Sequence, residues 1–242
     1  MGLRDRIVTS WRGLPRVLQV LIGLQVIVWV ALLPLPRDLV TRLLLIVGFS
    51  PPLFLEGSVW QLVTHPFVHA PADFFGLIFD VLLLWVLGGI FARRWRTRHF
   101  LFFIGVCAAA GALTGGLAAW AWPESFSPVL AGMDASVLGL FVAFHMIFGD
   151  EFVRLMGLSE PIRARWILYV VLGMDVLFFL TGSNPDLGAQ VGGLVAGWLM
   201  VTGRWRPRKM QRWLEKKGSD VRWEKRRSRF KVIDGGRRPT RH

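Results

Sequence analysis

Residues 74–92, Phe-Phe-Gly-Leu-Ile-Phe-Asp-Val-Leu-Leu-Leu-Trp-Val-Leu-Gly-Gly-Ile-Phe-Ala, form an apolar run with a single charged side chain. About 20 apolar residues are enough to cross the hydrocarbon core of a bilayer as a helix. The charged residue, Asp80, lies in the first half of the run. An ionisable group is costly at that depth, so it usually faces a protein interior or a water-filled cavity and marks a functional site. This stretch predicts a membrane-spanning helix that carries part of a polar site.

Similar runs occur along most of the chain. Of its 242 residues, 53% are hydrophobic, and the mean hydropathy is +0.47. The predicted spans are residues 17–33, 74–92, 100–121, 129–149, 166–181 and 187–202. We therefore predict an all-α, six-helix membrane domain over residues 17–203, between an N-terminal segment, 1–16, and a tail, 204–242. The last two runs are the shortest, near the lower limit for a span.

Arginines alternate between the predicted connections. They precede the first span and separate the second span from the third and the fourth from the fifth: Arg4, Arg6, Arg12, Arg16, Arg93, Arg94, Arg96, Arg98, Arg154, Arg163 and Arg165. Basic residues of short loops stay on the cytoplasmic side. Both termini are therefore predicted to be cytoplasmic, and short loops with this bias fit a bacterial inner membrane. The first run lacks a cleavage pattern and is expected to stay as the first helix.

The tail carries nearly all of the net charge. Residues 204–242 contain sixteen basic and four acidic side chains, which gives +12 of the chain's +13. Arg204, Arg206, Arg208 and Lys209 directly follow the last span. Basic clusters in this position bind anionic lipids of the cytoplasmic leaflet. Nucleic acid would be attracted by the same charge, but the juxtamembrane placement favours lipid.

Two further polar residues occupy positions like that of Asp80. Asp134 and Gln190 each lie a few residues inside the start of a run, and the predicted topology places all three within about 10 Å of one membrane face. Asp175 could lie at a similar level. Gly132 lies two residues before Asp134, and Gly193 lies three residues after Gln190. Small residues at such positions allow helices to approach closely. We expect Asp80, Asp134, Gln190, Gly132 and Gly193 to line one cavity.

The first connection is long and has its own pattern. Residues 38–49 are amphipathic, which predicts a short helix in the outer interface that Pro51 and Pro52 stop. Loops of this length are usually functional, so the segment after it is predicted to admit ligands through Trp60, Thr64, His65, Phe67 and His69. The two histidines could bind metal or substrate, but a loop or capping role is favoured, and no metal or cofactor is predicted. Cys107 is the single cysteine, so no disulfide forms within the chain.

Four blocks of sequence carry a resemblance to a known family. Residues 56–70, Glu-Gly-Ser-Val-Trp-Gln-Leu-Val-Thr-His-Pro-Phe-Val-His-Ala, and the Leu- and Trp-rich residues 82–89 resemble a loop motif and the helix that follows it. Gly132-Met133-Asp134-Ala135, with Gly139, is similar to a Gly-x-Ser-Gly motif. Residues 189–197 are similar to an Ala-His-x-x-Gly stretch. Over residues 17–203 the chain thus resembles the rhomboid family of intramembrane serine proteases.

The side chains that this resemblance would make catalytic are changed. Asp134 stands at the position of the serine nucleophile, and Gln190 at that of the histidine base. Asp80 and Gly76 stand where the family has an Asn and a His that stabilise the oxyanion. A serine needs an adjacent base, and the developing charge needs donors. Serine proteolysis is therefore predicted to fail, and the resemblance implies an inactive relative that binds transmembrane segments of client proteins.

Other side chains do not restore the missing pair, and two alternatives stay open. Ser136 lies about 200° around the helix from Asp134, and His145 about 16 Å along it. An active intramembrane endopeptidase would need a serine-type site or a proton shared between Asp80 and Asp134, as in aspartic proteases. A proton or ion pathway through Asp80, Asp134 and Asp175 is a further alternative, although no repeat typical of transporters is visible.

Overall fold

Helices make up nearly all of the regular structure. The computed structural model describes residues 11–153, 161–182 and 186–204. Its helices are α1 (Arg16–Leu32), α2 (Arg37–Val47), α3 (Pro51–Leu55), α4 (Gln61–Thr64), α5 (Phe74–Arg94), α6 (Thr97–Ala121), α7 (Asp134–Phe148), α8 (Arg165–Leu180) and α9 (Leu187–Thr202). A 3-10 turn, His65–Phe67, follows α4. The tail residues Arg206, Arg208 and Lys209 and the arginines at positions 4, 6 and 154 lie outside the described residues.

Each of the six predicted runs contains one helix. Two of them, α5 and α6, are long and apolar enough to cross a membrane. The helices α1, α7, α8 and α9 have 17, 15, 16 and 16 residues. The predicted start of the fourth run at position 129 was wrong for the helix, because Leu130 forms a bridge with Phe49 and Gly132 has a φ of 103°. The chain becomes helical only at Asp134.

The main core lies among α1, α5, α6 and α7. Leu18, Leu84, Phe103 and Leu140 come from these four helices, and each is at most 1% exposed. Many outward-facing side chains of the same helices are also apolar, including Val20 and Ile27 of α1 at 66% and 67% exposure. A helix that is apolar on its outer face as well is typical of a protein surrounded by lipid.

One turn of α5 is π-helical. It spans Leu84–Gly88, between regular α-helix on either side. Gly88 ends this turn against α1, where a Cβ would lie 2.8 Å from Leu18 Cδ2. The turn therefore lies at the contact between α5 and α1, and it begins four residues after Asp80 along α5.

The first connection is held together by side chains that cap α2. Gln61 donates to Leu45 O at 2.8 Å, Trp60 Nε1 to Ile46 O at 2.9 Å, and Thr64 Oγ1 to Val47 O at 2.5 Å. The last carbonyls of a helix have no partner within the helix. Trp60 and residues of α4 supply hydrogen-bond donors for those of α2. The predicted amphipathic helix is present as α2. Pro51 does not stop it: α2 already ends at Val47, and Pro51 begins α3, where its missing N–H is tolerated.

A short β-ribbon lies between α7 and α8. Phe152–Val153 pairs with Ile162–Arg163 in antiparallel register. The all-α prediction did not include this ribbon, because strands of two residues are too short to show an alternating pattern. The fold is helical apart from this ribbon and the single bridge between Phe49 and Leu130 in the described residues.

Candidate functional site

Asp80 is the most deeply buried charged side chain of the predicted cavity. It lies on α5 and is 1% exposed. Its Oδ2 accepts a hydrogen bond from Met133 N–H at 2.6 Å and lies 3.1 Å from His69 Nε2. A buried carboxylate needs such partners to offset its lost hydration. Asp80 therefore ties α5 to the residues that lead into α7 and to the end of the first connection.

His69 belongs to this site rather than to an exposed loop. Its side chain is 2% exposed, and with a hydrogen on Nε2 the ring donates to Asp80. The other ring nitrogen, Nδ1, is buried and has no hydrogen-bond partner among the described residues. His69 was predicted to be one of the access residues, because only the folded chain brings the end of this loop to within 3.1 Å of Asp80 on α5.

Gly132 lies at the centre of the polar cluster. With a φ of 103° it has a backbone conformation that favours glycine. A Cβ there would lie 3.3 Å from both Asp134 Oδ2 and His69 Nε2 and 3.7 Å from Asp80 Oδ2. The two carboxylate oxygens are therefore less than about 7 Å apart. The structure thus brings together three predicted cavity residues and adds His69 to them.

Asp134 is the first residue of α7 and is half-buried. Its carboxylate lies at a helix N-terminus, where the free N–H groups favour negative charge. It lines a cavity of about 20 Å³ together with His65, Asp186 and Ala189. That volume holds about one water molecule. The cavity is therefore suited to water and is too small for a cofactor.

His65 faces this small cavity as a neutral base. Its Nδ1–H donates to Gln61 O at 2.7 Å, and burial lowers the pKa of the imidazole to about 4. Burial, followed by the negative charge of Asp73, raises the pKa of Asp186 to about 6. At neutral pH the cavity wall thus carries an uncharged imidazole, and within the described residues no group of three or more ligands suited to a metal ion occurs.

Gln190 lies on the side of α9 that packs against α7. It is 7% exposed. One turn later, a Cβ at Gly193 would overlap the carbonyl of Ala135, so the two backbones are in direct contact. Because residues three apart share a helix face, Gln190 faces the start of α7. The small residue at position 193 is what allows α9 to approach the site so closely.

The alternative catalytic side chains point elsewhere. Ser136 is fully buried, and its hydroxyl donates to Ile104 O on α6 at 2.9 Å. His145 lies near the other end of α7, where its ring is 5.4 Å from that of Tyr169. Gly76 donates its N–H to the Asp73 carboxylate, which also fills the space that a side chain at position 76 would need. The side chains of Ser136 and His145 therefore do not join the polar cluster around Gly132.

The predicted access residues have mostly structural contacts. Trp60 and Thr64 cap α2, Phe67 packs against the main core, and His65 is 4% exposed. A further buried amide, Gln25 of α1, was not predicted from the sequence. Its Nε2 donates to Pro66 O at 3.4 Å and contacts Met133 Sδ at 3.5 Å. Gln19 and Gln25 are the two amides inside the first apolar run, and an amide in such a run was the signal that could have identified it.

Comparison with known proteins shows the family of the chain. The chain is 24% identical over 147 residues to Rhomboid-like protease 1 of Toxoplasma gondii. The matched region covers 61% of this chain and 47% of that protein, so the chain spans about half the length of this relative. Residues 56–207, from the residue after α3 to beyond α9, match the family model described as Rhomboid domain. Since this match covers more than half of the chain, the protein belongs to the rhomboid family of membrane proteins.

Proposed function

We propose that the protein is a rhomboid homologue that has lost serine proteolysis and binds transmembrane segments of client proteins. The proposal rests on the resemblance of residues 132–135 and 189–197 to the family's motifs, by which Asp134 and Gln190 stand at the positions of the nucleophile and the base. A glutamine cannot take a proton near neutral pH. A carboxylate at position 134 would repel the negative charge that develops during attack on a peptide carbonyl.

The surroundings of Asp134 support the loss of this chemistry. Developing oxyanions are stabilised by preorganised donors, often backbone N–H groups. The N–H of Met133, directly before Asp134, already donates to the Asp80 carboxylate. A second negative charge would have to compete with Asp80 for this donor. The site is therefore organised around carboxylates and suits polar binding better than acyl transfer.

The membrane arrangement proposed for this function has six crossings. The alternating arginines favour cytoplasmic termini, with Arg204 at the cytoplasmic end of α9. A bacterial inner membrane is the proposed location, and the basic tail would bind its anionic lipids. Trp60, which is 49% exposed although its indole caps α2, marks the side of the first connection where a client could approach.

A crosslinking experiment tests the proposal. Single-span peptides carrying a photoreactive residue are incubated with the reconstituted protein, and adducts and cleavage are read by mass spectrometry. We expect adducts with the unchanged protein and intact peptides. Site-specific cleavage by the unchanged protein would overturn the proposal.

Aspartic chemistry is the second candidate. It is favoured by the proximity of Asp80 Oδ2 and Asp134 Oδ2 around Gly132, because two neighbouring carboxylates can share one proton. Cleavage that is abolished by Asp80→Asn and by Asp134→Asn, but kept in Gln190→Ala, would establish it. A proton pathway through the same carboxylates would instead produce proton flux in liposomes without cleavage.

A further inference from the structure

A large apolar groove lies beside the first connection, between α2, α3 and the end of α6. Its volume is about 810 Å³, within the range of roughly 300–1,000 Å³ that is typical of ligand pockets. The residues that shape it include Thr41, Leu44, Leu45, Leu55, Ala119 and Trp120.

The groove offers an occupant almost no polar contacts. Leu55 and Trp120 on its walls are 85% and 82% exposed, so large apolar surfaces are left without a protein partner. The hydroxyl of Thr41 is already used, since it donates to Arg37 O at 3.0 Å. Ser50 is 5% exposed. The occupant that buries the most apolar surface here is therefore a hydrocarbon chain.

Two exposed arginines lie on α2, the helix that forms one side of this groove. Arg37 is one helical turn before Thr41 on the same face, and Arg42 directly follows Thr41. Among the described residues, neither guanidinium lies within 4.0 Å of a carboxylate oxygen. The nearby Asp38 is in the first turn of α2, where the helix N-terminus favours it. Guanidinium groups bind phosphate with matched geometry, so this edge suits an anionic head group.

We propose that the groove binds an acyl chain of an anionic phospholipid, with the phosphate against Arg37 and Arg42. The chain would pack between Leu44 and Trp120, and the head group would lie at the start of α2. An apolar client segment would use the groove but has no need of the two arginines. The combination of an apolar floor and a cationic edge therefore favours lipid. The residues that form this site all precede the basic tail in the sequence.

Photolabelling by lipid tests this assignment. The full-length protein is reconstituted in phosphatidylcholine vesicles that contain phosphatidylglycerol with a diazirine on its acyl chain. We expect labelled peptides from residues 41–55 and 119–131. The double variant Arg37→Gln, Arg42→Gln should weaken labelling by roughly fivefold for each arginine lost. Arg98→Gln is the matched control, because Arg98 is an exposed arginine at the start of α6.

Two further measurements keep the test decisive. Thr41→Trp places a large side chain into the groove from an exposed helix position, so it should block labelling without changing the melting temperature. A phosphatidylcholine probe with the same diazirine should label these segments less. Equal labelling by the two probes, or labelling spread evenly over all helices, overturns the proposal. Displacement of the probe by a transmembrane peptide but not by unlabelled phosphatidylglycerol would also overturn it.

Discussion

Asp80 depends on two partners that are distant in sequence. His69 is eleven residues before it and Met133 fifty-three residues after it, and both contact the same carboxylate oxygen. A buried carboxylate that loses one partner keeps its desolvation cost. The pair formed by His69 and Asp80 is therefore expected to stabilise the packing of the first connection against α5 and α7.

Replacing His69 tests this expectation. His69→Ala should lower the free energy of unfolding in detergent by about 1–3 kcal/mol, because it removes one partner of a buried charged group. Adding Asp80→Asn should cost less than the sum of the two single changes, since the amide carbonyl still accepts from Met133 N–H without a buried charge. His99→Ala, at an exposed histidine, should have little effect. An equal loss in both histidine variants would contradict the pairing.

The two titrating groups of the small cavity should give opposite pH dependence. His65 has a folded-state pKa of about 4, below the ordinary 6.5, so its contribution to stability is present above pH 6.5 and is lost as the pH falls towards 4. Asp186 has a folded-state pKa of about 6, above the ordinary 3.8, so its contribution is present below pH 3.8 and is lost as the pH rises through 6.

Variants at these positions separate the two effects. Between pH 4 and 6, His65→Gln should make stability rise less with pH, and Asp186→Asn should make it rise more. Thermal unfolding of both variants and the unchanged protein across this range is the measurement. Parallel curves for all three proteins would show that neither residue titrates differently in the folded state.

Some of the buried polar residues could be identified from the sequence, and others could not. Asp80, Asp134 and Gln190 were identified because a polar residue in an apolar run is visible without a structure. His69 was assigned to a loop, since its pairing with Asp80 arises from the path of the chain after the 3-10 turn. Gln25 was overlooked for a similar reason: its contacts with Pro66 and Met133 join distant segments.

At the scale of elements, α6, α7 and α9 meet through small residues. A Cβ at Gly197 would lie 2.7 Å from Gly139 Cα, and one at Gly139 would lie 2.5 Å from Cys107 Sγ. Close backbone approach is the usual basis of helix association in membranes. These glycines therefore set how closely α9, with Gln190, can approach α7.

A pair of glycine variants tests this packing. Gly193→Ala should destabilise the protein by more than 1 kcal/mol, because the new methyl group overlaps the Ala135 backbone, which cannot move like a flexible side chain. Gly173→Ala on α8 has no atom within 4 Å of the added Cβ and should be neutral or slightly stabilising. Unfolding in detergent measures both. Similar stability of the two variants would argue against tight contact between α7 and α9.

The positions of the long helices could be predicted from the apolar runs, whereas the ends of the helices and the irregular turns could not. The predicted runs at 74–92 and 100–121 correspond to α5 and α6, but 129–133 is not helical, since Leu130 pairs with Phe49. Neither the two-residue strands nor the π-helical turn has a signal strong enough to be read locally, because the contacts that stabilise them come from other parts of the chain.

For the whole molecule, the proposed topology makes a prediction about labelling. In a Cys107→Ala background, Glu56→Cys and Glu124→Cys should react with a membrane-impermeant maleimide in intact cells, because the arginine pattern places both on the outer side. His99→Cys should react only after permeabilisation. All three native residues are exposed in the structure, so access is not limited by burial. Labelling of His99→Cys in intact cells would refute the orientation.

The π-helical turn at Leu84–Gly88 also affects how the half of α5 that carries Asp80 is oriented relative to the half that follows the turn. Such a turn amounts to one surplus residue in an α-helix. Deleting one residue from this turn would therefore restore regular winding with little change in the relative orientation of its two flanks, whereas deleting one from the regular helix between Asp80 and Leu84 would rotate the preceding segment by about 100° relative to the following one. With Gly88 held against Leu18, Asp80 would swing out of hydrogen-bonding range of Met133 towards the lipid. A helix shortened between Asp80 and Leu84 would thus lose its polar centre although every side chain of that centre was still present.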